Sequence, residues 1–190
     1  MTKKLEINAN LVNINLTPLK KENNIVCEYD IKKGKDDKED YLNQIIINSF
    51  EEAKRNDPDW EIEGTNNEDE IKENCELYLN NKKIDFSYKY KFPKDGKYKI
   101  QITIKNPLSN TNYMFFDCNK LTSLNLSNFN TNNVNNMSYM FCDCSSLTSL
   151  NLSNFNTNNV NNMILMFFNC SSLTSLNTKD EKILKEWKNK

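Results

Sequence analysis

Apolar and polar residues alternate in several short segments of the first hundred residues, and this period of two predicts β-strands. The segment NIVCEYDI places Ile25, Cys27, Tyr29 and Ile31 on one face of a strand, and KYKIQITIK shows the same alternation. In LEINANLVNINL the phase of the alternation changes near Val12, which predicts a bulge or a strand end there. The first part of the chain is therefore expected to contain a sheet with one buried face.

Between these strands, the segment YLNQIIINSFEEAKR carries apolar residues near helical spacing. It predicts a helix, with Asp40 as the candidate N-cap and Asp57-Pro58-Asp59 as the stop. The acidic segment EIEGTNNEDEIKEN predicts a link without regular structure, and Asn80-Asn81 predicts the turn of a hairpin. The order of strands, helix and strands predicts an α+β domain, with a β-grasp-like sheet packed on one helix.

A segment of 17 residues, LTSLNLSNFNTNNVNNM, occurs twice without change, at residues 121–137 and 147–163. The period of 26 residues also relates Cys118, Cys144 and Cys170. Each unit reads L-x-x-L-x-L-x-x-F and then V-x-x-M-x-x-M-F-x-x-C, which predicts a short strand followed by a turn with one buried stripe. Such a unit is typical of a leucine-rich-repeat solenoid, in which each coil buries its apolar face against its neighbours.

The apolar positions of the two units form the predicted repeat core: Leu121, Leu124, Leu126, Phe129, Val134, Met137, Met140, Phe141, Cys144, Leu147, Leu150, Leu152, Phe155, Val160, Met163, Met166, Phe167 and Cys170. The polar positions on the strands form the candidate partner-binding face: Thr122, Ser123, Asn125, Ser127, Thr148, Ser149, Asn151, Ser153, Thr174 and Ser175. This face is either a hydrogen-bonding surface for a partner or a solvated surface. Because the copies are identical, the repeat suggests architecture more than a tailored site.

Two other features of the repeat have alternative interpretations. The column of Cys118, Cys144 and Cys170 is either a row of buried thiols that pack as small hydrophobes or a redox or metal column. The NTNNVNN runs form either ladders of paired amides between coils or turns in which asparagine bonds to its own backbone. We favour the packing interpretation for the cysteines and the turn interpretation for the asparagines.

Charge divides the chain into three parts. Residues 106–178 contain only Asp117, Lys120 and Asp143 as charged side chains, whereas the segments before and after are dense in charge. This contrast predicts an α+β domain at residues 1–106, repeats at 107–178 and a C-terminal capping helix at 179–190. The last segment, KDEKILKEWKNK, has its apolar residues at helical spacing and is expected to cover the end of the repeats.

The composition excludes several classes of function. The net charge is −1 and the basic residues are spread out, so no nucleic-acid partner is expected. The chain has no histidine and only three glycines, which argues against triads, the commonest metal sites and glycine-rich phosphate loops. We therefore predict no catalytic residue, cofactor, metal or small-molecule substrate. No stretch reaches the ~18 apolar residues of a membrane span and no signal-peptide core is visible. A cytoplasmic protein is expected, or a cell-surface one if a leader was removed.

The segment NTNNVNNMSYMFCDCSSLTSLNLSNF resembles the BspA-like leucine-rich repeats, and the resemblance covers residues 110–177. The charged segment from CELYLNN onward resembles the N-terminal leader domain of protist members of that family. The chain departs from the family in having two full repeats, where members often carry many, and in showing no signal peptide or anchor. The resemblance implies protein binding, surface attachment and assembly, and it implies no catalysis.

These observations predict a non-catalytic protein–protein interaction or structural subunit of a larger intracellular assembly. One alternative is a surface or adhesion protein of the BspA-like type. Another is a ubiquitin-like or enzymatic role of the N-terminal half, although the chain ends in KEWKNK and has no exposed Gly-Gly tail. The expected partners are other proteins.

Overall fold

A computed structural model describes residues 23–33, 41–58 and 64–190. The strands predicted within residues 5–16 and the predicted helix cap Asp40 lie outside these ranges. In chain order the elements are β1 (Asn24–Ile31), β2 (Asn43–Ile45), α1 (Phe50–Asn56), α2 (Glu68–Asn74), β3 (Cys75–Leu79), β4 (Lys82–Ile84), β5 (Lys89–Lys91), β6 (Gly96–Ile104), β7 (Leu121–Asn125), β8 (Ser149–Asn151), β9 (Ser175–Asn177) and α3 (Glu181–Lys188).

The main sheet has five strands in the order β4-β3-β6-β1-β7, and every neighbouring pair is antiparallel. The predicted strand face of β1 is confirmed, because Ile25, Cys27, Tyr29 and Ile31 are all buried. The alternation along β6 is confirmed in the same way. Strictly alternating apolar residues form strands here because one face of the sheet packs on the core while the other meets solvent.

The hairpin between β3 and β4 is confirmed at Asn80-Asn81. Both residues have a positive φ, +47° and +68°. Two successive residues with positive φ form the tight turn that matches the twist of paired strands, and asparagine tolerates this conformation better than most residues. The local sequence therefore specifies this turn.

The long helix predicted from residue 41 is wrong. Residues 43–45 form β2, which pairs with β5, and helix α1 begins only at Phe50. Ile45 ends β2, and the Ile46 backbone N–H donates to the Tyr88 carbonyl (2.9 Å) beside β5. β-Branched side chains such as these are restricted in helices. Ser49 then caps α1, its Oγ accepting from the Glu52 backbone N–H (3.2 Å). The Ser-x-x-Glu pattern is a recognised start signal, and it marks the true beginning of the helix.

The acidic link predicted at residues 61–74 is also wrong in its second half, where α2 forms. Glu68, Asp69 and Glu70 occupy the first turn of α2, where negative charge is favourable, and Ile71 is buried in the core. A single buried residue in a charged seven-residue segment gives almost no periodic signal, and this explains why the pattern predicted a loop.

The predicted fold class, an α+β domain followed by a leucine-rich-repeat solenoid, is wrong, although the helix predicted within residues 179–190 forms as α3. The protein is mostly β, with an antiparallel five-stranded sheet and three short helices in the described ranges. Strand β7, which belongs to the first repeat, joins this sheet by pairing with β1, and Leu124 faces Cys27. The pairing satisfies the backbone groups along the open edge of β1. The β-grasp-like arrangement is likewise wrong, because the predicted long helix is absent from the described residues.

The repeated segments stack in three layers, which we define as residues 109–117, 135–143 and 161–169. Backbone N–H groups of the first layer donate to carbonyls of the second, as from Thr111 to Asn136 (3.0 Å) and from Phe115 to Met140 (2.9 Å). The second layer bonds to the third in the same way, for example from Phe141 to Met166 (3.0 Å). Stacking therefore satisfies the polar backbone of these irregular segments.

Helix α3 packs on the third layer. Ile183 is buried, and the Trp187 ring meets Phe167 edge-on with 5.8 Å between ring centroids. The Lys182 ammonium donates to the carbonyls of Thr157 and Val160, both at 2.9 Å. These contacts cover apolar and carbonyl groups at the end of the stack where α3 lies.

Candidate protein-binding face

The candidate partner-binding face lies on the solvent side of β7, β8 and β9. On β8 and β9 the strands are parallel, so Ser149 lies beside Ser175 and Asn151 beside Asn177. On β7 the polar residues occupy the outer face of the main sheet, opposite the buried Leu124. Nine of the ten predicted residues are exposed: Ser123, Asn125, Ser127, Thr148, Ser149, Asn151, Ser153, Thr174 and Ser175.

Thr122 is the exception on this face, since it is only partly exposed. Its hydroxyl donates to the Glu28 carbonyl (3.0 Å), at the point where the register between β1 and β7 shifts. The side-chain oxygen of Asn125 accepts from the Ser127 N–H (3.0 Å), and Asn151 and Ser153 repeat this turn (3.1 Å). The asparagines therefore shape the strand ends, whereas the serines and threonines present hydroxyl groups.

All eighteen residues of the predicted repeat core are buried in one continuous hydrophobic cluster that also includes the apolar face of the main sheet. The rings of Phe115, Phe141 and Phe167 form a column through the layers, with centroids 5.9 and 6.0 Å apart. The polar face is therefore supported by a close-packed interior that spans β1 to α3.

The six cysteines are all buried and unpaired. Burial raises the pKa of Cys75 to about 12 and that of Cys170 to about 11, and it raises the pKa values of the other four thiols as well. Metal binding and redox chemistry need the thiolate. In the described ranges no group of three or more cysteines, aspartates or glutamates is placed to hold a metal ion. The cysteine column packs between layers, with the Cys144 and Cys170 thiols donating to carbonyls of the preceding layer.

The asparagine runs mostly form turns. Within residues 110–164, seven asparagine side chains accept a hydrogen bond from the backbone N–H two residues later: Asn110, Asn125, Asn130, Asn136, Asn151, Asn156 and Asn162. Such bonds make a tight turn out of a single side chain. Amide pairs between layers also occur, as between Asn156 and Asn132 (2.9 Å). Such turns use three of the seven asparagines in residues 121–146.

Two buried asparagines outside the repeat attach the α1 region to the first layer, and sequence reasoning missed both. The Asn67 side chain accepts from the Phe50 N–H (3.0 Å) and donates to the Asn112 carbonyl (2.9 Å). The Asn48 side chain donates to the Phe116 carbonyl (3.0 Å). In a chain this rich in asparagine, the pattern gives no signal that separates a buried amide from an exposed one.

Helix α1 covers one side of the first two layers. The Phe50 ring lies 5.6 Å from that of Tyr113, which stacks on Tyr139 at 4.7 Å. Ala53 packs in the same cluster. Next to this cluster a cleft of about 290 Å³ is lined by Asn48, Asn56, Asp57, Asp117 and Asp143, together with Ile45, Ala53 and Phe116.

The Asp117 carboxyl in this cleft should make stability depend on pH. Burial, reinforced by the neighbouring Asp143, raises the pKa of Asp117 to about 6, whereas an unfolded aspartate titrates near ~3.9. The folded state therefore binds the proton more tightly, and its free energy of unfolding falls as pH rises from about 4 to about 6. Asp117→Asn should remove this part of the pH dependence and gain roughly 1–2 kcal/mol at pH 7.

Urea unfolding of both proteins at pH 4, 5, 6 and 7 checks this expectation. The difference in the free energy of unfolding between variant and wild type isolates the contribution of Asp117. The other carboxylates titrate in the same range in both proteins, so their contributions cancel in this difference. Equal differences at pH 4 and pH 7 would show that the Asp117 pKa is not raised.

Comparison with protein-family models assigns the chain to a family. The model for the Mycoplasma protein of unknown function, DUF285, matches residues 92–188, which is just over half of the chain. The chain belongs to this family. Comparisons with curated proteins and with solved structures gave no significant match.

The resemblance to the BspA-like leucine-rich repeats is corrected by this result, since the family that matches is DUF285. The descriptions leucine-rich repeat, BspA-like and solenoid therefore do not apply. The 26-residue period that suggested them is real, but its first strand is part of an antiparallel sheet. None of the helices within residues 23–33, 41–58 and 64–190 has the length and apolar character needed to cross a membrane.

Proposed function

We propose that this member of the DUF285 family is a non-catalytic protein-binding or structural subunit that contacts another protein through the face formed by β7, β8 and β9. One observation carries the proposal: the exposed side chains of this face are uncharged and form matching rows across adjacent strands, with Ser149 beside Ser175 and Asn151 beside Asn177. Hydroxyl groups in rows on a rigid support can bond to a partner at a low cost in side-chain entropy.

The partner that fits such a face is a protein surface that is itself polar and uncharged. Lysine, glutamate and aspartate, which are depleted at protein interfaces, are missing from these rows. We place the assembly in the cytoplasm, and the unpaired state of all six cysteines supports a reducing compartment.

Ser149→Arg tests the proposal, because it puts a long charged side chain in the rows without removing a turn-forming asparagine. Asn158→Arg is the matched control, since Asn158 is also exposed but lies beyond β8 in a turn. Tagged wild type and both variants would be recovered from their native cells and analysed by quantitative mass spectrometry. We expect a stoichiometric partner with wild type and with Asn158→Arg, and its loss with Ser149→Arg. Equal recovery with both variants would exclude this face as the binding surface.

A further inference from the structure

The polar face of β7, β8 and β9 is small for a stable contact between proteins. A standard interface takes about 20–30 residues, or roughly 800 Å² of surface, from each partner. This face offers nine exposed residues, all of them serine, threonine or asparagine, and such short side chains cover little area. A stoichiometric partner that survives recovery from cells must therefore contact more of the protein than these three strands.

The outer face of the main sheet continues the polar face beyond β7. Asn125 of β7 lies directly opposite Val26 of β1, and Val26 lies directly opposite Gln101 of β6. Two residues earlier on β1, Asn24 lies opposite Thr103. These side chains alternate with the buried residues of β1 and β6, so they point away from the core. We call Asn24, Val26, Gln101 and Thr103 the sheet extension.

Charged residues mark where this uncharged surface ends. The next pair along β1 and β6 is Glu28 and Lys99, whose charged groups lie 3.8 Å apart. Beside Thr103, Glu76 of β3 forms an ion pair with Lys83 of β4 (2.8 Å). Protein interfaces are depleted of lysine and glutamate at the centre and have a polar rim. The sheet extension, uncharged and bordered by paired charges, has this arrangement.

We propose that the partner of the polar face also covers the sheet extension, so that one contact spans β9, β8, β7, β1 and β6. This inference rests on the proposed function, because it enlarges the same contact. The occupant is a single protein whose surface is polar and uncharged, with an apolar group opposite Val26. With the extension and the charged residues along its borders, the contact approaches the size of a standard interface.

Gln101→Arg tests the extension, because it puts a long charged side chain beside Val26, at the far end of the uncharged surface. Lys97→Arg is the matched control, since Lys97 is exposed on the same strand but lies in its charged part. These variants and Ser149→Arg would be recovered from the native cells in parallel, and the wild-type partner would be quantified by mass spectrometry. We expect at least a tenfold drop with Gln101→Arg and with Ser149→Arg, and wild-type recovery with Lys97→Arg. Urea unfolding of each purified variant checks that it is folded.

The sheet extension and the proposed function fail in different ways in this experiment. Loss of the partner with Ser149→Arg alone overturns the extension and leaves the polar face as the binding surface. Wild-type recovery with both variants overturns the extension together with the proposed function. Loss with Gln101→Arg alone also contradicts both, because the contact would then lie on the main sheet without reaching β8.

Photo-cross-linking in the native cells identifies the molecule that covers the extension. The photoreactive residue benzoylphenylalanine, placed at position 101 or at position 149, should capture the same protein. At position 97, the matched control, it should capture that protein only at background level. A cross-link from position 101 to a different protein, to a second copy of this chain or to another part of the same chain overturns the proposal.

Discussion

Phe141→Ala is expected to lower the free energy of unfolding by about 3–5 kcal/mol, a large share of the total stability of a typical domain. The Phe141 side chain is fully buried, and its ring lies nearly parallel between those of Phe115 and Phe167. Truncation removes contacts to both neighbouring layers and leaves a cavity that the repeated backbone cannot close, because hydrogen bonds between layers fix their spacing.

Urea unfolding followed by circular dichroism measures this loss, and Phe168→Ala is its matched control. Phe168 belongs to the same turn one layer further on, but nearly half of its side chain is exposed. At low micromolar concentration its truncation should cost less than about 1 kcal/mol. Similar losses in the two variants would mean that the phenylalanine column does not hold the layers together.

Asn67→Leu is expected to cost about 2–4 kcal/mol, although leucine has nearly the same shape and is more apolar. The Asn67 side chain is 2% exposed and bonds to the Phe50 N–H and the Asn112 carbonyl. Leucine leaves both backbone groups buried without these partners, and each unsatisfied group costs about 1–3 kcal/mol. The effect is large because one amide serves two distant segments.

Asn66→Leu provides the comparison for this prediction. Asn66 is exposed, and its side chain accepts from the Glu68 N–H (3.3 Å), so its replacement should change stability by less than about 1 kcal/mol. Hydrogen exchange adds a local readout, because Asn67→Leu should speed exchange across α1 more than across β6. Uniform acceleration throughout the protein would show that Asn67 does not act at the α1 contact.

The sequence predicted the elements whose pattern is local. Strands β1 and β6 alternate strictly, and Asn80-Asn81 specifies its turn, so all three could be located from a few residues. The buried positions of the repeat followed from the period of 26 residues. The start of α1 could also be predicted, because Ser49 and Glu52 form a recognisable start signal. The apolar spacing of residues 41–55 instead suggested an earlier start.

The features that sequence reasoning missed depend on distant partners. Strand β7 pairs with β1, about a hundred residues earlier, and nothing in LTSLN distinguishes a strand that joins this antiparallel sheet from one that lies parallel to its copy. The contacts of Asn48 with Phe116 and of Asn67 with Asn112 join residues 68 and 45 positions apart. Because pairing partners are chosen by the whole fold, the local pattern of the repeat does not distinguish a solenoid coil from a strand that joins this sheet.

The identity of the repeated strands has a consequence for folding. The five residues LTSLN occur both in β7 and around β8. Local sequence alone would therefore allow either copy to pair with the edge of β1. A chain that paired the wrong copy would bring Phe168 to the fully buried site of Cys142, under α1. Such overpacking costs about 1–3 kcal/mol. The few positions at which the two copies differ, Cys142 against Phe168 among them, therefore disfavour a slip of the pairing by one whole repeat.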